Sequence, residues 1–543
     1  MRTSRSSSSL ALLALSGLTA LAAAGCAGDP STQDNDFTSA TATLLDFSFD
    51  GEVVTAVGAN PTGAIRAQLL YTVGTFNGEK GVSRLNAVQL TNLVTDALPS
   101  GLARVRYHAK LPVAWGSKAN LPTTYTLSLP KRLDPDGQAS FLTKYATTCG
   151  EDGGKEVTAG NFWYHYRPRG AGCAPAVGDL TVSKASIAVS PLNKDGKFPE
   201  YHRVWEDGAL DIVAVFGKYE KGATSNTDAG IAAYNAFIRA AVERLPGAAT
   251  TPLALPDAPG AAMPDVTLQA TLDDGRTVSV VALLVDEVAS APPSFDARFG
   301  EVTPGADLVI YDGHAGLGAN IRALTTKARF FPGKYQLFFM NGCDTFAYED
   351  DSLMKTHAAI NPDDPLGSKY LDVMRNAMPA YFNSMPDASM AVIDALLEDA
   401  APLGYAAIFN GIDAAQVVVV TGEEDNVYTP AFAPGPRWSG WDDGGAVAYE
   451  QTATFTTGTL PAGKYVFTMT PDPSAPGGDA DLYLRVGSAP TLTAPYKCMS
   501  YKWNSNERCA VTLTTPAKVF MQTSGDKQSV TSPYLIRAWQ AFP

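Results

Sequence analysis

Histidine and cysteine are scarce in this chain, five and six in 543 residues, so any chemistry that needs an imidazole or a thiol has few places to reside. Charge is sparse too, at 18% of residues, and acidic side chains outnumber basic ones 55 to 41 for a net charge of −14. A phosphate-backbone partner calls for a basic patch, which argues against nucleic acid. The chain has no Gly-x-Ser-x-Gly elbow, no His-Glu-x-x-His pair and no Gly-x-x-x-x-Gly-Lys-Ser/Thr loop, which removes the usual serine hydrolases, zinc proteases and nucleotide enzymes. Gly313-His314-Ala315-Gly316-Leu317-Gly318 is glycine-rich, but its order is reversed from the dinucleotide fingerprint, so no nucleotide cofactor is expected. Past residue 24 no apolar run is long enough to cross a bilayer.

What is present begins with an export signal. Met1-Arg2-Thr3-Ser4-Arg5 is basic, and Leu10 to Ala24 is apolar, rich in small residues and too short for a membrane span. Its end, Leu21-Ala22-Ala23-Ala24-Gly25-Cys26, resembles the lipobox of bacterial lipoproteins. That resemblance implies a signal over residues 1–26, lipidation of Cys26 and a membrane partner reached through the lipid. Ala27 stands where an inner-membrane retention signal has Asp, so the outer membrane or cell surface is the expected location. Ordinary secretion with cleavage nearby is the competing reading.

Export favours pairing of whatever thiols can meet. Cys149 and Cys173 bracket one stretch, whose closure by a disulfide would restrict the unfolded chain by roughly 3 kcal/mol. A zinc site at Cys149, His165 and Cys173 competes weakly, because the spacing is irregular. Cys498 and Cys509 share a short C-terminal segment, and Cys343 alone lacks an obvious partner. An unpaired thiol in an exported chain points to reactivity, with a disulfide from Cys343 to Cys149 or Cys173 as the alternative.

The length predicts several domains. Residues 27–39 read as a flexible tether. Residues 40–184 carry short β-prone runs, Leu44–Phe49, Arg104–His108 and Thr123–Leu129, plus an alternating aromatic run at Asn161–Arg167 read as a strand. Residues 185–427 alternate strand and helix, the pattern of an α/β sheet: a strand at Leu210–Phe216, a helix capped by Asp228, and a strand pair around Asp273-Asp274-Gly275. Apolar strands follow at Ala306–Tyr311 and Tyr335–Met340, then helices near Tyr370–Phe382 and Ala388–Ala400 and a strand at Tyr405–Phe409. The proline-rich passages 252–264 and 287–304 read as surface loops. Pro430, Pro434 and Pro436 mark a stiff linker over 428–439 into a β-rich segment, 440–543. The expected fold is multidomain, a central α/β sheet flanked by an N-terminal β-rich domain and a C-terminal β-sandwich.

His314 and Cys343 each fall just past an apolar strand. If those strands are parallel neighbours, their loops share one sheet edge, where ligands collect. Gly313 and Gly316 flank the histidine and Gly342 precedes the cysteine, which lets backbone approach a substrate carbonyl. A helix after Cys343 would favour an anionic sulfur, while Asp344 opposes it. Tyr311-Asp312-Gly313-His314 and Asn341-Gly342-Cys343 resemble the caspase and gingipain clan of cysteine peptidases, the gingipain branch most closely. The resemblance implies an endopeptidase acting on a peptide or protein substrate, Cys343 as nucleophile and His314 as general acid/base, without an obligatory third member. The chain departs from that pattern at Ala315, where the clan has glycine. The oxyanion donors would then be the N–H groups of Ala315 and Cys343. A non-catalytic surface lipoprotein, its α/β domain serving as a binding module, is the competing function. Asp344, Glu349, Asp350 and Asp351 read as a solvated acidic loop or, alternatively, as a pocket for a basic substrate side chain. His108, His165, His202 and His357 have no metal-ligand spacing.

The C-terminal run Gly478-Asp479-Ala480-Asp481-Leu482-Tyr483-Leu484-Arg485, with Gly487–Thr491 and Tyr496-Lys497-Cys498, resembles the bacterial pre-peptidase C-terminal domain. That resemblance implies an accessory β-sandwich in which Cys498 and Cys509 pair. A calcium site at Asp479 and Asp481 is a weak option beside a simple Asp-rich turn, and no other cofactor is expected.

Overall fold

The computed structural model describes residues 36–151, 157–423, 426–433, 435, 437–438, 440–491, 495–502 and 504–542. Cys26, the signal segment, and Pro434 and Pro436 of the expected linker lie outside the described residues.

A mixed nine-stranded sheet forms the centre. Its strands, in chain order, are β1 (Thr38–Ser39), β2 (Ala209–Gly217), β3 (Ala249–Thr251), β4 (Asp265–Thr271), β5 (Thr277–Val285), β6 (Leu308–Asp312), β7 (Gln336–Asn341), β8 (Leu371–Asn376) and β9 (Val418–Gly422). They lie in the order β1-β9-β8-β7-β6-β2-β5-β4-β3, with β5, β2, β6, β7 and β8 parallel and the outer strands antiparallel. Side chains alternate across it. Ile212, Ala214, Ile310, Leu337 and Phe339 bury against helices Ala229–Arg244 and Met385–Leu397. Val213, Val309, Phe338, Met340 and Val373 face the other way, into a core continuous with the N-terminal unit. Both faces are covered, which is why β6 and β7 read as apolar runs.

The N-terminal unit is a β half-barrel of six antiparallel strands led by Thr43–Ala56 and Leu102–Trp115, packed on helices Tyr71–Asn77 and Pro135–Cys149. The C-terminal unit is two four-stranded antiparallel sheets sharing a core of Phe467, Leu482, Met521 and Ile536. It docks on the central unit through the partly buried Arg537–Asp211 ion pair and through Asn506 Nδ2, which donates to Glu301 O at 2.8 Å.

Cys149–Cys173 and Cys498–Cys509 are disulfides, as expected of an extracytoplasmic protein. The first removes the zinc alternative, and Cys343 takes part in neither.

Several expected elements differ. Phe162–His165 is a short helix, not a strand: Phe162 and Tyr166, four apart, turn to one side and pack with Tyr71 and Phe141. Tyr370–Phe382 is not helical; it holds β8, whose Asp372, Arg375 and Asn376 are fully buried and so disguise a core strand as an amphipathic segment. Tyr405–Phe409 is a helix, a short apolar run whose Ala406 and Ala407 favour that state. The strand of that region is β9, built on Val418–Val420. Residues 287–304 include the helix Pro293–Val302, with Phe295 and Phe299 buried. Thr38–Ser39, placed at the tether's end, pairs with β9 as an edge strand. Tyr428 and Phe432, in the expected linker, pack on His202.

Candidate functional site

β6 and β7 are parallel neighbours, in register from Leu308↔Leu337 to Asp312↔Asn341. Gly313-His314 and Gly342-Cys343 therefore leave the same sheet edge side by side. Gly313 N lies 3.4 Å from Asn341 O, and a Cβ on Gly342 would stand 2.7 Å from Gly313 O and 3.4 Å from Ala315 N. Glycine at 342 is what allows the two loops to touch.

His314 sits half-buried in an aromatic notch, its ring 5.1 Å from that of Tyr219 and 5.0 Å from that of Phe382. Its Nε2 is 3.2 Å from Tyr219 O, a carbonyl that can only accept, so Nε2 is the donor in that contact. Tyr219 is held in turn by Asp228. The Asp228 carboxyl caps helix Ala229–Arg244 and also accepts from the N–H groups of Tyr219 and Glu220 at 3.0 and 2.9 Å. Burial raises the pKa of this carboxyl, but four backbone donors outweigh it and hold the group below its ordinary range. The His314 carbonyl accepts from Tyr311 Oη at 2.7 Å and Asn320 Nδ2 at 2.8 Å. Beyond buried Ala315, three successive residues are left-handed: Gly316, Leu317 and Gly318 at φ 60°, 50° and 92°. Gly316 and Gly318 take that conformation freely, and Leu317 takes it at a cost.

Cys343 is half-buried, with Sγ 3.5 Å from Ala380 O in the segment after β8 that also carries Phe382. The helix after it, Thr345–Tyr348, has only four residues, too few for the expected dipole to steady an anionic sulfur.

Beneath both loops runs a buried polar ladder that sequence reasoning missed. Asn341 Nδ2 donates to Asp312 Oδ1 at 2.7 Å, Ser389 Oγ to both Asp312 oxygens at 2.9 Å, and Asn376 Nδ2 to Asn341 Oδ1 at 2.9 Å and Gly342 O at 3.2 Å. Gln416 Nε2 completes it on Asn341 Oδ1 at 2.8 Å. Burial pushes Asp312 up to about 8, against the pull of these donors. Asp312 and Asn341 each end an apolar strand in the sequence, but Asn376 ends one that reads as a helix, so the ladder itself was not legible.

The acidic stretch after the thiol is not a solvated loop. Asp344 and Glu349 are buried; Glu349 pairs with buried Arg375, and Asp344 Oδ1 accepts from Asn77 Nδ2 of the N-terminal unit at 2.7 Å. Asp351 accepts from Asn86 at 3.3 Å, and the Arg84 guanidinium lies over Phe346. Elsewhere, Asp481 Oδ2 accepts from Tyr483 Oη at 3.1 Å, and among the described residues no group of three or more His, Cys, Asp or Glu side chains is arranged to hold a metal.

No protein-family model matches the chain, and no curated protein does. Solved structures give slight likenesses. PliG of Aeromonas hydrophila, a periplasmic inhibitor of g-type lysozyme, is 14% identical over 20% of this chain and 91% of its own, at a TM-score of 0.16. The pre-peptidase C-terminal domain of a Bacillus anthracis collagenase is 11% identical over 18% of this chain and 87% of its own, at 0.15. A family GH115 4-O-methyl-α-glucuronidase is 10% identical over 30% and 25%, at 0.16. Likenesses at this level carry no functional argument.

Proposed function

We propose that the protein is an exported cysteine endopeptidase related to the caspase and gingipain clan, anchored to the cell envelope through lipid on Cys26, with an accessory pre-peptidase C-terminal domain. The observation that carries this reading is the contact of the Gly313-His314 and Gly342-Cys343 loops at the ends of β6 and β7. The His314 imidazole takes the thiol proton and the Cys343 sulfur adds to the peptide carbonyl carbon. The oxyanion is met by the N–H groups of Cys343 and Ala315, a reading supported by the nearness of Ala315 N to Gly342, 3.4 Å from where a Cβ there would stand. Collapse expels the amine, which takes the proton from His314, and water then releases the acid from the thioester.

The competing non-catalytic binding module draws on Ala315 in place of glycine and on the sulfur lying against Ala380 O. Iodoacetamide labelling and peptide-library cleavage of the full chain and of Cys343→Ala separate the two. The substitution is expected to abolish labelling and hydrolysis while leaving the thermal midpoint in place. Hydrolysis surviving in that variant would falsify the peptidase reading.

A further inference from the structure

The residue that follows the thiol is held from another unit of the protein. Asp344 has φ 53°, a left-handed conformation that a non-glycine residue adopts under constraint. Its N–H reaches Met378 O at 3.4 Å, its side chain is wholly buried, and its Oδ1 takes the Asn77 amide at 2.7 Å. Asn77 ends the helix Tyr71–Asn77 of the β half-barrel, 267 positions away in the chain. Tyr164, from the same unit, faces the same carboxyl and also the Cys343 sulfur. Asp344 Oδ2 accepts no well-formed hydrogen bond among the described residues. The charged and titratable groups facing this carboxyl are Tyr164 and Arg167 of the N-terminal unit and Tyr348 of its own segment, with Cys343 adjoining it in the chain. Arg167 is itself tied to Glu151 and to the carbonyls of Gly74 and Tyr164. Further along, Phe37 and Trp163 pack edge-on against Phe346 and Tyr348.

We propose that Asn77 and Tyr164 are positioning residues for the Cys343 sulfur, acting through the Asp344 carboxyl, so that the N-terminal unit is a standing part of the nucleophile loop. This rests on Cys343 being the nucleophile. The physical route is short. A buried carboxyl that loses its donors binds a proton or turns out of the interface, and either change alters the charge and backbone next to the sulfur. Burial raises Asp344 to about 6, and Asn77, Tyr164 and Arg167 each draw it down from where burial alone would put it. Removing a donor therefore makes the carboxyl more often neutral, and a neutral neighbour opposes the thiolate less.

The test uses the full chain carrying Asn77→Ala or Tyr164→Phe, the second keeping the ring and its packing so that folding is preserved. The pH dependence of Cys343 alkylation by iodoacetamide is expected to move to lower pH in both. The kcat for peptide hydrolysis is expected to fall roughly tenfold in Asn77→Ala, about the cost of its one hydrogen bond, and by less in Tyr164→Phe, with KM little changed. In an Asp344→Asn background, where asparagine also tolerates the left-handed backbone, Tyr164→Phe is expected to leave the alkylation midpoint where it is. A midpoint and kcat equal to those of the parent in both variants, or a shift that persists without the Asp344 carboxyl, overturns the proposal. Alkylation reads this coupling whether or not the protein cleaves peptides, so loss of the peptidase reading through Cys343→Ala is a separate result.

Discussion

At the scale of single residues the most exposed dependence is on Gly342. An alanine methyl there meets Gly313 O at 2.7 Å and must push the two loops apart. A displacement near 1 Å at a reacting centre costs on the order of 100-fold in rate. Gly342→Ala is expected to remain folded and alkylatable yet lose peptide hydrolysis by about that factor, and full activity in a kinetic assay would show that the loop contact is irrelevant. Glycine before a thiol was legible as permission for close approach. The partner it approaches was not, because Gly313 O is brought there by strand register. Asp312 is a second case: its position after an apolar run was plain, whereas its raised pKa follows from burial and is opposed by its donors Asn341 and Ser389.

At the scale of elements, the turn after His314 holds a strained leucine between two glycines. Leu317 is 39% exposed at φ 50°, ψ 37°, so its side chain contributes little to offset a left-handed cost of roughly 1–2 kcal/mol. Leu317→Asn is expected to stabilise the central unit by about 1 kcal/mol, seen as a higher urea midpoint, with the alkylation rate of Cys343 unchanged. Strand identity at β6 and β7 followed from apolar runs, since a parallel strand covered on both faces has little room for uncompensated polarity. The same rule misled at β8, where Asp372, Arg375 and Asn376 are buried with partners: Asp372 meets Lys197 and two tyrosine hydroxyls, and Arg375 meets Glu349 and Thr421. Those partners come from distant parts of the chain, so no local window could reveal them.

At the scale of the whole molecule, buried carboxyls set the pH response. Burial raises Asp312 to about 8, Glu423 to about 9 and Glu507 to about 7. In the unfolded chain such groups ionise near 4, so the native state holds their protons longer. Their contribution is complete below about pH 4 and is lost as pH rises through the folded values. His202 and His357, depressed by burial to about 3 and 4, act in the opposite sense below about 6.5 and are silent above it. The thermal midpoint is therefore expected to fall between pH 6.5 and 8.5, by up to about 1.4 kcal/mol of stability per pH unit for each titrating group. Asp312→Asn is expected to flatten that fall, and an equally steep decline in the variant would remove Asp312 as a source.

Residue order alone was enough for the three-unit architecture, the two central strands and the placing of His314 and Cys343 at their ends, because burial writes itself into local apolar patterns, whereas the structure settled the two disulfides among the open pairings. It did not contain the Tyr219 carbonyl that orients the imidazole, the Asp312–Asn341–Asn376 ladder, or the grip of Asn77 on Asp344. Each of these is a polar contact between segments far apart in the chain. Polar partners leave no periodic trace in either segment, and they come into being when the sheet edge and the half-barrel close on one another.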